Sequence, residues 1–266
     1  MRGFIGVGRS LAVAAAVLLM VGLLGCGSGG GGNPAVDDGG NNNSGGNNYY
    51  SGTIAGELSG DILTYVGQSY RTVVIRDKRW MAENLNYLTD SSWCFGEGGE
   101  VRLDRDSSVT LTESQIQENC NTYGRLYSWS AAKTACPSGW HLPSRDEWDD
   151  LARPGMYLKS NSGWDDWCGD DGNDSCVSGN GVDNLGFSAL PGGLRSSWVF
   201  EFEGTVYGRG TDYVYAGHLG LWWAVRDDGG SEAMDMSNQY DFLYESPLRT
   251  DNIDVSINVS IRCVMN

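Results

Sequence analysis

Histidine, positive charge and long apolar runs are all scarce in this chain. His141 and His218 are the two histidines among 266 residues, and no spacing joins them into a metal site, which needs several ligands. No Cys-x-x-Cys pair occurs, which argues against zinc and dithiol redox centres. Gly-x-Ser-x-Gly, His-Glu-x-x-His and phosphate-binding glycine loops are missing too, and with them the common hydrolase and nucleotide signatures. Eighteen Lys and Arg face 34 Asp and Glu, a net charge of −16. Such a surface repels nucleic acid and anionic headgroups, so neither is expected as a partner. The simplest role of that charge is to keep an exported protein soluble. The apolar run at 11–24 has fourteen residues, short of the ~20 that span a bilayer as helix.

That run follows Arg2 and Arg9 and ends in Leu23-Leu24-Gly25-Cys26. A charged start, a short apolar core and small residues at the end make a secretory signal. Its ending resembles the bacterial lipobox, in which the cysteine is lipidated and becomes the new N-terminus. The alternative is an ordinary signal peptide with a chance cysteine. The lipobox reading makes 1–25 a signal peptide and Cys26 the lipid carrier. Gly27 rather than Asp in the next position suits sorting to the outer membrane of a diderm bacterium. The expected location is therefore the outer membrane or cell surface, with the lipid as the only membrane contact. Residues 26–48 are the lipidated cysteine and a Gly, Asn and Ser tether that cannot bury a core. A flexible coil of this length reaches ~25 Å. The remainder, 49–266, reads as one domain.

Setting Cys26 aside leaves Cys94, Cys120, Cys136, Cys168, Cys176 and Cys263. An even number in an oxidising compartment implies disulfides, with fifteen possible pairings. Ten Trp, thirteen Tyr and 39 Gly point to a loop-rich fold with aromatic anchors. Residues 65–70 and 71–75 read as a hairpin-like strand pair, and 78–82 as the next strand. The polar stretch 89–117 reads as loop. Residues 128–135 form a short helix, and 140–142 a short strand. Ser144-Arg145-Asp146-Glu147 fits a capping box, with Trp148 and Leu151 at helical spacing and Pro154 as a stop. Residues 160–186 read as loop, and 198–202, 213–216 and 219–225 as aromatic strands. Residues 253–261 alternate apolar and polar, the period of a half-buried strand. The sum is an α+β domain with two short helices, small antiparallel sheets and long loops.

Cys136-Pro137-Ser138-Gly139-Trp140-His141-Leu142-Pro143 resembles the hallmark of the Fibrobacter succinogenes major paralogous domain. Further pieces follow the family's order: Trp80-Met81-Ala82-Glu83-Asn84-Leu85-Asn86-Tyr87, Tyr123-Gly124-Arg125-Leu126-Tyr127-Ser128-Trp129, Gly186-Phe187-Ser188-Ala189-Leu190-Pro191-Gly192-Gly193, Trp222-Trp223, and Ser260-Ile261-Arg262-Cys263-Val264. The resemblance covers 64–265. That family is similar to a distant variant of the C-type-lectin fold, which formylglycine-generating enzymes also share. In C-type lectins a cysteine ending the first helix bonds one in the last strand, which implies Cys136–Cys263 here. In the chain-entropy picture such a bridge is worth about 5 kcal/mol at most. Cys94–Cys120 is then the natural local pair, and Cys168–Cys176 closes a small ring within an acidic loop.

That loop carries the binding candidates. Trp164 and Trp167 flank it with Asp165 and Asp166, and aromatic faces beside carboxylates suit sugar rings. The competing reading is that both rings cover the loop's own base. Asp170, Asp171, Asn173 and Asp174 offer oxygens for calcium. Their order does not fit an EF-hand, and the lectin sugar-site motifs are absent, so no metal is expected. Trp140 and His141 read as a packed ring and a hydrogen-bonded imidazole rather than a general base. Adjacent Trp222 and Trp223 should face opposite sides of a strand, one to the core and one available to the surface. Tyr207, Tyr213 and Tyr215 could extend an aromatic surface. No catalytic residue and no cofactor are expected, and an enzyme acting on polysaccharide is the minor alternative. The leading expectation is a surface lipoprotein whose lectin-like module binds a glycan or a surface protein. A non-binding envelope component is the structural alternative.

Overall fold

The computed structural model describes residues 55–103, 107–151, 155–168, 176–197, 200–202, 205–207, 211–239, 244–245 and 256–266. The expected signal peptide (1–25), Cys26 and the expected tether (to 48) lie outside them. Tyr49–Asn266 form one unit. Alternation of buried and exposed residues in Ile62–Tyr65 and Gln68–Ile75 builds the first hairpin. Its turn falls at Val66-Gly67, not between Tyr70 and Arg71 as the strand pattern suggested. Gly67 takes φ +75° there, a conformation that costs glycine little. Glu57–Ser59 pairs outside this hairpin, and Lys78–Met81 on its other side.

The sheet is completed by the end of the chain. Val264–Met265 lies between Lys78–Met81 and Trp140–His141, with Val264 opposite both Trp80 and His141. A second sheet runs in the order Ser256–Asn258, Gly192–Ser197, Thr211–Ala216, Glu100–Arg102, Ser108–Val109. Its one parallel pair joins Thr211–Ala216 to Glu100–Arg102. A third sheet holds Leu219–Val225, Ser231–Ser237 and Tyr244–Glu245.

Three α-helices are present among the described residues, one more than expected. The extra one, α1 (Glu113–Tyr123), lies partly in the stretch taken for loop. Only Ile116 and Cys120 of α1 are buried, so its apolar stripe is a single i,i+4 pair. A capping box between Thr112 and Gln115 starts it. Helix α2 (Trp129–Ala135) begins on the Ser128 hydroxyl, and α3 (Arg145–Asp149) on the Ser144–Glu147 capping box. Pro154 lies outside the described residues.

The interior has two main apolar bodies. One gathers Leu63, Met81, Tyr127, Trp223, Val259 and Ile261. The other holds Trp80, Trp148, Phe187 and Trp222, with ring centroids 5.1–6.0 Å apart. Trp222 and Trp223 are both fully buried. They do face opposite ways, but each side of their strand carries an apolar body, so neither reaches the surface. The final strand is corrected for the same reason. Ile257, Val259 and Ile261 are buried, and so are Asn258 and Ser260 between them. Cys94 bonds Cys120, Cys136 bonds Cys263 and Cys168 bonds Cys176.

Candidate functional site

Five of the six motifs that carry the family resemblance meet in the interior, around Asn84. Its Oδ1 accepts from Trp222 Nε1 at 2.9 Å and from Arg262 Nε at 2.8 Å. Its Nδ2 donates to the Tyr123 carbonyl at 2.8 Å and to Ser260 Oγ at 3.3 Å. Indole and guanidinium only donate and a carbonyl only accepts, so the orientation of this amide is forced. Arg262 is wholly buried. It also donates to the carbonyls of Phe187 and Ser188, and its guanidinium lies 4.3 Å from the Phe187 ring centroid. Desolvation pulls its pKa down to about 9. Each of these residues belongs to a quoted motif, and each is occupied in holding the fold.

His141 is held likewise. Its Nε2 lies 3.0 Å from both oxygens of Glu147, and its Nδ1 contacts Asn266 Oδ1. Lys78 Nζ is 3.0 Å from the same carboxylate. The Ser144 amide and the Lys78 and His141 contacts hold the Glu147 pKa below the usual carboxylate range, against desolvation, the largest single influence on it. The imidazole thus ties α3 to the last residue of the chain. Among the described residues, no group of three or more His, Cys, Asp or Glu gathers as metal ligands.

The acidic-loop candidates divide. Trp164 is buried at 3% exposure, with its Nε1 donating to the Ala189 carbonyl at 2.9 Å. The Lys159 ammonium sits 4.8 Å from its ring centroid. It is therefore a core residue and offers no open face to a ligand. Its N–H satisfies a carbonyl 25 positions away, a link the local sequence does not reveal. Trp167 is exposed and pairs with Val177 beside the Cys168–Cys176 bridge. Asp165 and Asp166 are exposed, and Asp165 Oδ2 lies 3.4 Å from His218 Nε2. The calcium candidates Asp170, Asp171, Asn173 and Asp174 lie outside the described residues. Tyr213 is fully buried and Tyr215 exposed, so these two do not form a shared surface. The side chain of Tyr207 is outside the described part.

An open site lies elsewhere, where α1 meets the first sheet. Two adjoining pockets of about 300 and 280 Å³ share Gln68, Tyr70, Asn86 and Cys120. Pockets of this size hold small ligands. Four stretches of chain build them: the first hairpin, the segment after Met81, the second half of α1 with Gly124 and Arg125 that follow it, and the segment holding Ser188 and Leu190. The Cys94–Cys120 bridge pins α1 in place. Tyr70 is buried, and its hydroxyl donates to Gln68 Oε1 at 2.9 Å while accepting the Asn86 amide at 3.1 Å. Tyr87 is half-buried, with its ring centroid 5.0 Å from that of Tyr65. Burial pushes the pKa of Tyr65 and of Tyr70 up to about 12, so both stay neutral hydrogen-bonding groups. Backbone strain collects on the rim. Val66 takes φ +48° and Ser188 φ +52°, costly conformations that often mark functional sites. The Asp183 carboxylate holds Ser188 there through the amide at 2.8 Å and the hydroxyl at 2.6 Å. Three of the quoted motifs reach this groove, through Glu83, Asn84, Asn86 and Tyr87, through Gly124 and Arg125, and through Ser188 and Leu190. Nothing in those strings singles these residues out as a site, and the wall from α1 is signalled only by the Thr112–Gln115 capping box.

The molecule is thus a disulfide-braced α+β module whose motif residues build much of its interior and, with the first hairpin and α1, line its open polar groove. The family model for the Fibrobacter succinogenes major domain matches residues 73–265, and the chain belongs to that family. No curated protein and no solved structure matches it.

Proposed function

We propose that the chain is an exported lipoprotein, anchored through Cys26, whose C-type-lectin-like domain binds a glycan or a surface protein. The observation that carries this reading is the groove beside α1. It is a preformed concavity walled by tyrosines and by side-chain amides with unused hydrogen-bonding groups. A bridged body suits the oxidising world outside the cytoplasm, and a Gly- and Asn-rich tether would let the groove reach out from a membrane. The enzymatic alternative is weaker. Glycoside hydrolysis commonly uses two carboxyl groups, whereas Glu83 is the only carboxylate lining either pocket among the described residues. Glu83 is moreover paired with Arg71 at 2.9 Å.

Two experiments test the proposal. Globomycin treatment should accumulate the uncleaved precursor, and the intact mature mass should include an acylated Cys26. The mature protein, with its bridges intact, should bind members of a glycan panel or capture a surface protein in stoichiometric crosslinks. Neither binding nor an adhesion defect in a deletion strain would leave the structural envelope role as the better account.

A further inference from the structure

We infer that the groove takes an uncharged glycan, with the Asn86 carboxamide as its central contact; this rests on the proposal that the domain is a binding module. Asn86 lines both pockets. Its backbone N–H is engaged by the Tyr70 hydroxyl, but its side-chain amide has no hydrogen-bond partner among the described residues. The chain on either side is clamped. Leu85 N–H donates to the Ile261 carbonyl at 3.0 Å, and the carbonyls of Leu85 and Tyr87 both accept from the Tyr127 hydroxyl. The carboxamide is therefore presented from a fixed backbone with one donor face and one acceptor face. A sugar hydroxyl donates and accepts at once, which matches such a group. Gln117 and Asn121 on α1 bond each other at 3.1 Å through one amide edge each. That leaves the Gln117 oxygen and the Asn121 amino group turned to other uses.

Charge selects among glycans. The two cations lining the pockets are each neutralised within the protein, Arg71 by Glu83 at 2.9 Å and Arg125 by Glu97 at 2.9 Å. Among the described residues that line the pockets, no unpaired cation is left to receive a uronate or sulfate, and the chain carries a net charge of −16. Acidic polysaccharides are therefore disfavoured twice, by the site and by the whole surface. Tyr65 and Tyr70 are buried, so the half-buried Tyr87 is the ring beside Asn86 that offers a sugar's C–H face an apolar contact while the amides meet its hydroxyls.

The test is affinity electrophoresis of the mature protein through gels holding a mixed-linkage β-glucan, a galactomannan or polygalacturonate, at low and high salt. The expected result is retardation by at least one neutral polymer, changed less than twofold by salt. Asn86→Ala should weaken it at least tenfold without moving the urea midpoint. Gln117→Ala, on the exposed face of α1, should weaken it severalfold and serves if Asn86→Ala fails to fold. Retardation by polygalacturonate that vanishes in salt would overturn the inference. So would neutral binding that survives both substitutions, which would place the ligand elsewhere and leave the module reading standing. Absence of retardation by every polymer sinks the glycan assignment. A stoichiometric crosslinked protein would then keep the binding module, and failure to capture one would remove it as well.

Discussion

Replacing Arg262 with methionine is the most searching perturbation of the interior. The guanidinium is fully buried and reaches three acceptors: Asn84 Oδ1, the Phe187 carbonyl and the Ser188 carbonyl. Burial lowers its pKa from 12.5 to about 9, which at about 1.4 kcal/mol per pH unit penalises the charged form by roughly 5 kcal/mol. Three hydrogen bonds from a charged donor, at about 1.5–3 kcal/mol each, offset that penalty. The contact with the Phe187 ring adds about 0.5–2 kcal/mol. Methionine fills much of the volume and removes the buried charge, and Asn84 keeps its bond from Trp222. The Phe187 and Ser188 carbonyls, however, lose these donors, and each buried acceptor left bare costs about 1–3 kcal/mol. The balance is a loss of about 2–5 kcal/mol, a large part of a typical folding stability. Urea unfolding of the non-reduced protein, followed by tryptophan fluorescence, measures it. Arg262→Lys should also destabilise, because a compact ammonium cannot span three acceptors. A methionine variant at least as stable as the parent would refute the reasoning. The arginine would then be as replaceable as many buried ion pairs are.

Tyr65, Tyr70 and Tyr213 are each pushed up to about 12, and Tyr127 well above its ordinary value, with burial the first cause in every case. An unfolded tyrosine loses its proton near pH 10, so this stabilisation is complete below pH 10 and fades as pH rises from 10 to 12. Arg262, with its lowered value, acts in the opposite sense above pH 9, one group against these four and Tyr123, whose pKa burial also raises. Stability should therefore fall steeply above pH 10, with these tyrosinates appearing only as the fold is lost. Titration of all thirteen tyrosines near pH 10 in a folded protein would contradict this. Replacing Cys136 and Cys263 by alanine should cost about 5 kcal/mol, against about 3.5 for the Cys94 and Cys120 pair, because their bridges span 127 and 26 positions. Equal losses in urea unfolding would count against the chain-entropy account. Trp164→Ala should cost about 3–5 kcal/mol, while Trp167→Ala should change stability by less than about 0.5. A reversed order would show that the acidic-loop rings are wrongly assigned.

The sequence reveals best what short-range chemistry decides. Ser128 and Ser144 cap α2 and α3 through amides three residues on, and a capping pattern is readable in a handful of letters. Helix α1 has the same kind of signal at Thr112, but its single buried i,i+4 pair resembles a polar loop. The motif strings identify the family, but their density of Trp, Asn and Arg suggests a surface site, whereas those side chains satisfy one another inside. Trp164 misleads in the same way, since its carbonyl partner is set by tertiary packing. The groove is hidden for a further reason. Gln68 and Gln117 lie outside every motif, Asn86 lies inside one, and only the packing of α1 and its bridge gives the three a common wall.

The placement of Val264–Met265 between two earlier strands has a consequence for biogenesis. A nascent chain that stops short of residues 264–265 cannot close its first sheet. Cys136 meanwhile has no Cys263 to oxidise with, and can be captured by any other thiol that has already emerged. Closure of the first sheet and of the Cys136–Cys263 bridge is therefore a late event, and any species that precedes it carries Cys136 as a free thiol open to mispairing.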